Sequence, residues 1–329
     1  MRHQPRVPWQ AKYLALVLIW GSSFLLMKVG LESLSAVQIS ALRIVSGAAV
    51  LGAVLLVRGG RLPTGRRVWG HLLVCGFFLA TLPFTMFALS ETRISSALAG
   101  IGNAATPIAT VLATLAILPG ERATGRRLVA VAVGFVGVVT IMQPWTATDR
   151  PDLLGFSMAL LGGASYGVGW TYNRRFLSTV DLGGLSQPAA TLLTGLVLMV
   201  PVLLAWAWVQ PEGLASIWSY DVPTEGTWLW LPLLCTLVLG LVGTGFAYML
   251  QFDVVRGAGP MVGSTITYLI PVVSVVLGVL VLGERLGRWQ LVGFAVVLGA
   301  AYVINRRPRR PQAAVVPARE REEAAVTNP

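Results

Sequence analysis

Apolar runs of about twenty residues recur along the whole chain and are separated by short polar stretches. Many of them approach or exceed the ~18 residues that mark a membrane-spanning helix. Their lengths and order predict ten spans, at 11–30, 36–57, 68–90, 95–118, 127–144, 153–173, 184–208, 228–250, 261–282 and 288–305. The pattern therefore indicates an all-α polytopic membrane protein.

The amino-acid composition excludes an ordinary soluble domain. The 329 residues are 55% hydrophobic and 12% charged, with a mean hydropathy of +0.72, whereas a soluble domain is about a quarter charged. Cys75 and Cys235 fall within apolar runs, which is typical of small buried residues rather than of a disulfide or metal pair. The sequence contains none of the familiar enzyme motifs. We therefore expect no cofactor, no metal and no catalytic residues.

The positive charges lie on alternate connections. The net charge is +11, and most of the 25 lysines and arginines fall before the first span or after every second span. Because basic residues concentrate in cytoplasmic connections, we predict a bacterial inner-membrane protein with both termini in the cytoplasm. This placement argues against nucleic-acid binding. The tail at 1–9 is short. The basic tail at 306–329 is predicted to be disordered, either as a topology anchor or as a contact to anionic lipid.

The tripeptide GER occurs at 120–122 and again at 283–285, about half a chain apart. Each copy follows an apolar run with a proline near its middle, Pro107 in one and Pro271 in the other, and each precedes a glycine-spaced run. The repetition indicates that the chain contains an internal duplication.

The duplicated halves, 10–144 and 151–305, contain five predicted spans each. Because five is an odd number, the second half must enter the membrane from the opposite side. The halves are then related by a pseudo-two-fold axis in the membrane plane, an arrangement that is typical of secondary transporters.

Several motifs occur in a characteristic order. They are the pentapeptide WGSSF in the first span, Arg43 in the second, the proline-centred fourth and ninth spans that end in GE, and the glycine-rich fifth and tenth spans. In this order they resemble the EamA family of the drug/metabolite transporter superfamily. The resemblance implies ten helices in two inverted five-helix repeats around a central cavity, and export or exchange of small metabolites by alternating access. Within the family, the chain is most similar to amino-acid exporters of the YddG type.

The prolines indicate where a substrate would bind. A proline inside a helix removes the hydrogen bond to the carbonyl four residues earlier, so Pro107 frees the carbonyl of Asn103 and Pro271 frees that of Thr267. Interruptions in corresponding spans of two halves point to a transporter's substrate site. Small and polar residues follow helical spacing in both spans, which favours either a cavity lining or close helix packing.

Aromatic residues form a second candidate set, and each could instead face lipid or pack in the core. An apolar cavity with few polar anchors suits amino-acid side chains or aromatic metabolites. The residues that we predict to line the substrate cavity are Trp20, Ser22, Phe78, Phe84, Phe87, Asn103, Thr106, Pro107, Tyr166, Trp170, Tyr248, Thr267, Tyr268 and Pro271.

Arg43 is the one formal charge that falls well inside a predicted span. It is either a ligand for an anion or carboxylate, or a structural residue that bonds helix carbonyls or snorkels to the interface. Glu91 and Asp253 lie at span ends and are expected to reach water. Without a carboxylate at mid-span, facilitated transport or exchange is favoured over tight proton coupling. We expect Glu121 and Glu284 to anchor the repeats at helix turns, rather than to contact substrate.

The function predicted from these observations is export of small neutral or zwitterionic metabolites by a secondary transporter. Amino acids, aromatic or hydrophobic ones above all, fit the single arginine and the aromatic set best. The alternatives are export of other metabolites or drugs and, less favoured, an enzyme acting on lipid-linked substrates. The expected partners are the small-molecule substrate and the lipid bilayer, and a monomer is favoured.

Overall fold

The computed structural model describes residues 8–118, 125–143, 152–180, 182–221, 230–258 and 266–305. Within these ranges it contains helices, turns and irregular connections but no strand. A short 3₁₀ helix lies at Gly213–Trp218. The apolar helices, numbered in chain order, are α1 (Trp9–Gly30), α2 (Ala36–Val57), α3 (Arg66–Glu91), α4 (Ser96–Ile117), α5 (Gly125–Met142), α6 (Leu153–Phe176), α7 (Ser186–Trp208), α8 (231–258), α9 (Ile266–Leu282) and α10 (Arg288–Asn305).

Length and hydropathy divide these helices into two groups. In the described part of the chain, seven are long and apolar enough to cross a membrane, namely α1 to α4 and α6 to α8. The apolar parts of α5, α9 and α10 are shorter, at Leu128–Met142, Ile266–Leu282 and Arg288–Val303. The all-helical class and the several membrane spans are thus confirmed, and the count of ten spans stays a prediction.

Local sequence explains where two of the helices begin. Ser35 and Gln38 form a capping box before α2, in which the Gln38 N–H donates to Ser35 Oγ (3.2 Å) and the Ser35 N–H donates to Gln38 Oε1 (2.7 Å). Asp152 caps α6 by accepting the Gly155 N–H on Oδ1 (2.6 Å). This bond and the neighbouring Arg93 hold the pKa of the Asp152 carboxyl below its ordinary value. The Asp152 carboxyl is therefore still ionised, and still accepts this hydrogen bond, well below neutral pH.

Helices in both halves are interrupted, but not all at the predicted positions. α4 breaks at Ala104 and Ala105, and Pro107 lies in the first turn of its second part, Thr106–Ile117, where the missing proline N–H costs little. In α9, Pro271 lies inside a helix that runs unbroken from Ile266 to Leu282. The interruptions that do correspond are π-helical segments in the third helix of each half. No residue pattern in the sequence predicted them.

Many helix contacts occur twice, once between two helices and once between their counterparts in the other half. α1 packs on α9, and their counterparts α6 and α4 pack on each other. In the same way, α3 packs on α6 and its counterpart α8 packs on α1. The third such set is α2 on α8 and α7 on α3. Further contacts join equivalent helices, α2 with α7, α4 with α9 and α5 with α10. Replacing both helices of any of these pairs by their counterparts in the other half therefore gives another of these pairs.

Glycines allow α5 and α10 to pack closely. A Cβ atom on Gly293 would lie 2.6 Å from the carbonyl oxygen of Gly137, and one on Gly137 would lie 2.9 Å from the carbonyl oxygen of Gly293. Both distances are too short for a real Cβ contact to occur without a shift of backbone. The glycine spacing of these two helices thus serves their direct backbone contact.

We name the two ends of the helix bundle after residues found there. The Glu284 end carries Lys28, Glu91 and Ser96, which lie around the chain segment that follows α9. At the opposite Lys12 end, Lys12 on α1 forms an ion pair with Asp253 on α8. Asp253 is partly exposed, which agrees with its expected access to water.

Candidate functional site

Arg43 lies in the interior of the bundle, where its side chain has specific partners. The residue is 7% exposed on α2. Its Nε donates a hydrogen bond of 3.0 Å to Oγ1 of Thr244, in the π-helical segment of α8. Its guanidinium carbon lies 3.8 Å from the ring centroid of Phe84 on α3, in cation–π contact. The charge is also close enough to Tyr166 and Tyr248 for an electrostatic interaction. One cation on α2 is thus surrounded by residues from three other helices.

Further aromatic rings extend this arrangement. Phe87 stacks on Tyr166 with centroids 6.2 Å apart and meets Phe24 edge to face at 5.3 Å. Trp20 meets Tyr248 edge to face at 6.5 Å, and its Nε1 donates to the carbonyl oxygen of Gly243 in the α8 π-helical segment (3.1 Å). The aromatic–arginine cluster is defined as Trp20, Arg43, Phe84, Phe87, Tyr166 and Tyr248.

A polar contact between α4 and α6 adjoins the cluster. Oγ1 of Thr106 lies 2.8 Å from the carbonyl oxygens of both Asn103 and Gly163, and the hydroxyl has one proton to donate. Asn103, Thr106 and Pro107 are all buried. The carbonyl that Pro107 was expected to free is therefore contacted by a hydroxyl of its own helix. Gly163 lies one helical turn before Tyr166, so this polar contact lies beside the aromatic rings.

The other predicted site residues are not part of the aromatic–arginine cluster. Ser22 donates to the carbonyl oxygen of Ile19 (3.0 Å), and the Tyr268 hydroxyl donates to that of Ala301 on α10 (2.9 Å). Phe78 lies in the α3 π-helical segment with its ring against Phe77, at 5.1 Å. Among the remaining three, Trp170 is exposed, Thr267 is half-buried and Pro271 is buried.

Glu284 joins the two halves at its end of the bundle. Gly283 adopts a φ of +65° after the last turn of α9 and reverses the chain. The carboxylate of Glu284 then accepts the backbone N–H groups of Ser96 (2.7 Å) and Ala97 (2.9 Å), at the start of α4. A Cβ atom on Gly278 would lie 2.3 Å from Glu284 Oε2, so the glycine leaves room for the carboxylate. Glu121 lies outside the described residues.

Glu91 differs from what the sequence suggested. It was expected to reach water at the end of a span, and this expectation is wrong, because its exposed fraction is 0%. The connection to α4 has only four residues, 92–95, and the N–H groups of Arg93 and Ile94 both donate to the carbonyl oxygen of Ser90 on α3. Both carboxylate oxygens lack a hydrogen-bond partner within the described residues. A signal was available, because Glu91 follows Phe84 and Phe87 at helical spacing and so shares their face of α3.

Two further features lie away from the cluster. A cavity of about 640 Å³ opens at the Lys12 end, between the α2–α3 connection and the start of α7, and Leu55, Arg58, Arg61 and Ser186 are among its lining residues. Its edge at Leu55 is about 18 Å along α2 from Arg43. Within the described ranges, no group of three or more His, Cys, Asp or Glu residues could hold a metal ion.

Comparisons with known proteins identify relatives of this chain. An uncharacterized inner membrane transporter of Escherichia coli K12, YedA, is 27% identical over 306 residues, which is 93% of each chain. A probable amino-acid metabolite efflux pump of the same strain is 24% identical over 88% of this chain and 92% of its own length. An uncharacterized transporter of Archaeoglobus fulgidus is 26% identical over 88% and 96% of the two chains.

A solved crystal structure is similar in fold, with a TM-score of 0.57 at 20% identity, over 90% of this chain and 96% of the other. The model of the EamA-like transporter family matches the chain twice, at residues 9–143 and 153–306. These two matches span both halves and nearly all of the described helices. The protein therefore belongs to the EamA-like transporter family, within the drug/metabolite transporter superfamily, and is a multi-pass membrane protein.

Proposed function

We propose that the protein exports small neutral or zwitterionic metabolites as a secondary transporter, and that amino acids with aromatic or hydrophobic side chains are its substrates. The observation that carries the proposal is the aromatic–arginine cluster. It places one buried guanidinium, on α2, among rings that come from four other helices of both halves. A site between the two halves changes its access when they move relative to each other, as alternating access requires.

The chemistry of the cluster fits an amino acid better than a multiply charged anion. A guanidinium has five N–H donors in a planar fork that matches a carboxylate, and Thr244 accepts one of them. The surrounding rings offer apolar surface to a side chain. A sugar phosphate or nucleotide would call for several cations, and Arg43 is the one cation of the cluster. The relative named as a probable amino-acid metabolite efflux pump supports this substrate class.

The membrane arrangement completes the proposal. The Lys12 end faces the cytoplasm, because the basic connections of the sequence fall at this end. The three shorter apolar helices cross the membrane with the seven longer ones, which gives two inverted repeats of five spans. The exchange of helix contacts between the halves supports that symmetry. The protein then lies in a bacterial inner membrane, as the name of one relative suggests for that relative.

The experiment is counterflow in liposomes that contain the purified protein and are loaded with unlabelled amino acid. A panel of labelled amino acids is offered outside, and we expect saturable uptake of aromatic and aliphatic members. Arg43→Gln should abolish this uptake, because the carboxylate loses its cationic partner. Arg61→Gln changes an exposed arginine in the α2–α3 connection and serves as the matched control. No uptake of any member above protein-free liposomes would contradict the proposed function.

A further inference from the structure

We propose that Glu91 is a proton-binding site that is loaded when the Glu284 end of the bundle is closed and emptied when that end opens. Only one consequence of this proposal rests on the proposed transport function, namely that transport depends on the pH at the Glu284 end. The proton site itself is tested without transport.

The position of Glu91 links it to the aromatic–arginine cluster. It follows Phe84 by seven residues and Phe87 by four on the same face of α3. It is fully buried inside a helix that is long and apolar enough to span a membrane. Neither carboxylate oxygen has a hydrogen-bond partner in the described part of the chain. An ionised carboxylate is costly in such a place, so its charge must be removed or balanced.

The neighbouring cations are engaged with other partners. Lys28 faces Glu91 from α1, but its Nζ donates to the backbone carbonyl oxygens of Glu91 (2.6 Å) and Ile94 (3.2 Å). Arg43 faces it from α2, where Thr244 and Phe84 hold the guanidinium. A proton on Glu91 removes the charge without displacing either cation.

The remaining neighbours add no positive charge. Glu284 approaches from the end of α9 and brings a second negative charge into electrostatic range of Glu91. From α6, Tyr166 contributes a phenol. The sequences of α4 and α7, which also pack on α3, contain no titratable residue. Repulsion between the two carboxylates further favours the protonated form of one of them, and Glu284 already accepts two hydrogen bonds as an anion.

Glu284 also explains why proton binding follows closure. Its bonds to Ser96 and Ala97 hold the end of α9 against the start of α4, and Glu91 lies beneath this contact. When the contact separates, water reaches the carboxylate and the proton leaves to that water. Because the closed form binds the proton more tightly than the open form, acid on this side shifts the equilibrium toward closure.

The first test detects the proton directly. Infrared difference spectra of the purified protein, recorded between alkaline and acid pH, should contain the carbonyl stretch of a buried protonated carboxyl group. We expect this band to be lost in Glu91→Gln and kept in Glu32→Gln, which changes an exposed glutamate near the same end. Glu91→Met, without any titrating group, repeats the test if the glutamine variant is not monodisperse. A band of unchanged size in the Glu91 variants would overturn the proposal.

The second test measures closure. Spin labels on Thr92→Cys and Arg285→Cys occupy exposed positions on either side of the Glu284 contact, while Cys75 and Cys235 are buried. Acidification should shift the label–label distance toward the shorter, closed population. In Glu91→Gln the closed population should persist at every pH, so that the label–label distance no longer changes with pH. If the distance in Glu91→Gln shifts with pH as much as it does in Glu32→Gln, the proposal is contradicted. Absence of counterflow by the unchanged protein would instead contradict the proposed function alone.

Discussion

Arg43 shows how a single charge is kept inside an apolar helix bundle. One of its N–H groups bonds Thr244 and one face of its guanidinium lies on Phe84. The sequence leaves two roles open, a ligand and a structural residue; these two contacts are structural, and the ligand role is part of the proposed function. A guanidinium that is fixed by one bond and one ring is already oriented for a carboxylate, so binding requires little further ordering.

Phe84→Leu tests this orientation at the residue scale. The substitution removes the ring beneath the guanidinium, and a desolvated cation–π contact contributes about 0.5–2 kcal/mol. We expect the KM for amino-acid counterflow to rise by roughly twofold to thirtyfold, with a smaller change in maximal rate. Phe77→Leu is the control, because Phe77 is 39% exposed and precedes Phe78 on the outer side of the same helix. Equal KM values for the two variants would argue against a role of Phe84 in positioning Arg43.

Arg43 and Glu91 differ in how well the sequence predicts their burial. Arg43 interrupts an apolar run seven residues from the nearest predicted boundary, so its burial is visible in the sequence. The position of Glu91 at a span end predicts exposure, and this is wrong because the residue is fully buried. The four-residue connection after it bonds back to Ser90, and such a local contact has no signature in hydropathy. Helical spacing from Phe84 and Phe87 was the better guide.

At the scale of whole helices, the sequence was most reliable for position and least reliable for irregularity. Apolar runs predicted the approximate bounds of the helices, because burial in lipid or in the bundle needs a continuous apolar segment. The prolines predicted the break in α4 but not the unbroken course of the described part of α9. The π-helical segments of α3 and α8 depend on packing against neighbouring helices, and they supply Gly243 and Thr244 to the site.

The packing of α5 on α10 gives a prediction at this scale. Gly293→Ala places a Cβ atom 2.6 Å from a backbone oxygen of α5, which cannot move without separating the two helices. We expect a loss of about 1–3 kcal/mol in stability, seen as a lower midpoint of thermal unfolding in detergent. Gly299→Ala changes a residue on the same helix, and no atom lies within 4 Å of its new Cβ. This variant should be more stable than the unchanged protein by about 0.5–1 kcal/mol. Equal midpoints for the two variants would contradict close glycine packing.

At the scale of the whole molecule, the main helix contacts are symmetric between the two halves. The nine helix pairs described above, from α1 with α9 to α5 with α10, follow this exchange. The duplicated GER motif made the repeat visible in sequence, but not what the motif does. In the second half, the glycine turns the chain and the glutamate caps a helix of the first half. One short motif thereby controls how the halves meet at the Glu284 end.

Glu284→Gln tests this contact for the molecule as a whole. A glutamine has one acceptor oxygen and would direct its NH₂ group toward the second backbone N–H, so one of the two bonds to Ser96 and Ala97 is lost. A hydrogen bond to a charged group contributes about 1.5–3 kcal/mol, so the closed population should fall by roughly tenfold to a hundredfold relative to the open one. The distance between spin labels at positions 92 and 285 measures this change. Glu212→Gln, at an exposed position after α7, should leave the distance distribution as it is. If the Glu284 variant also leaves it unchanged, the end is held closed by apolar packing of α4 on α9, and the carboxylate only caps α4.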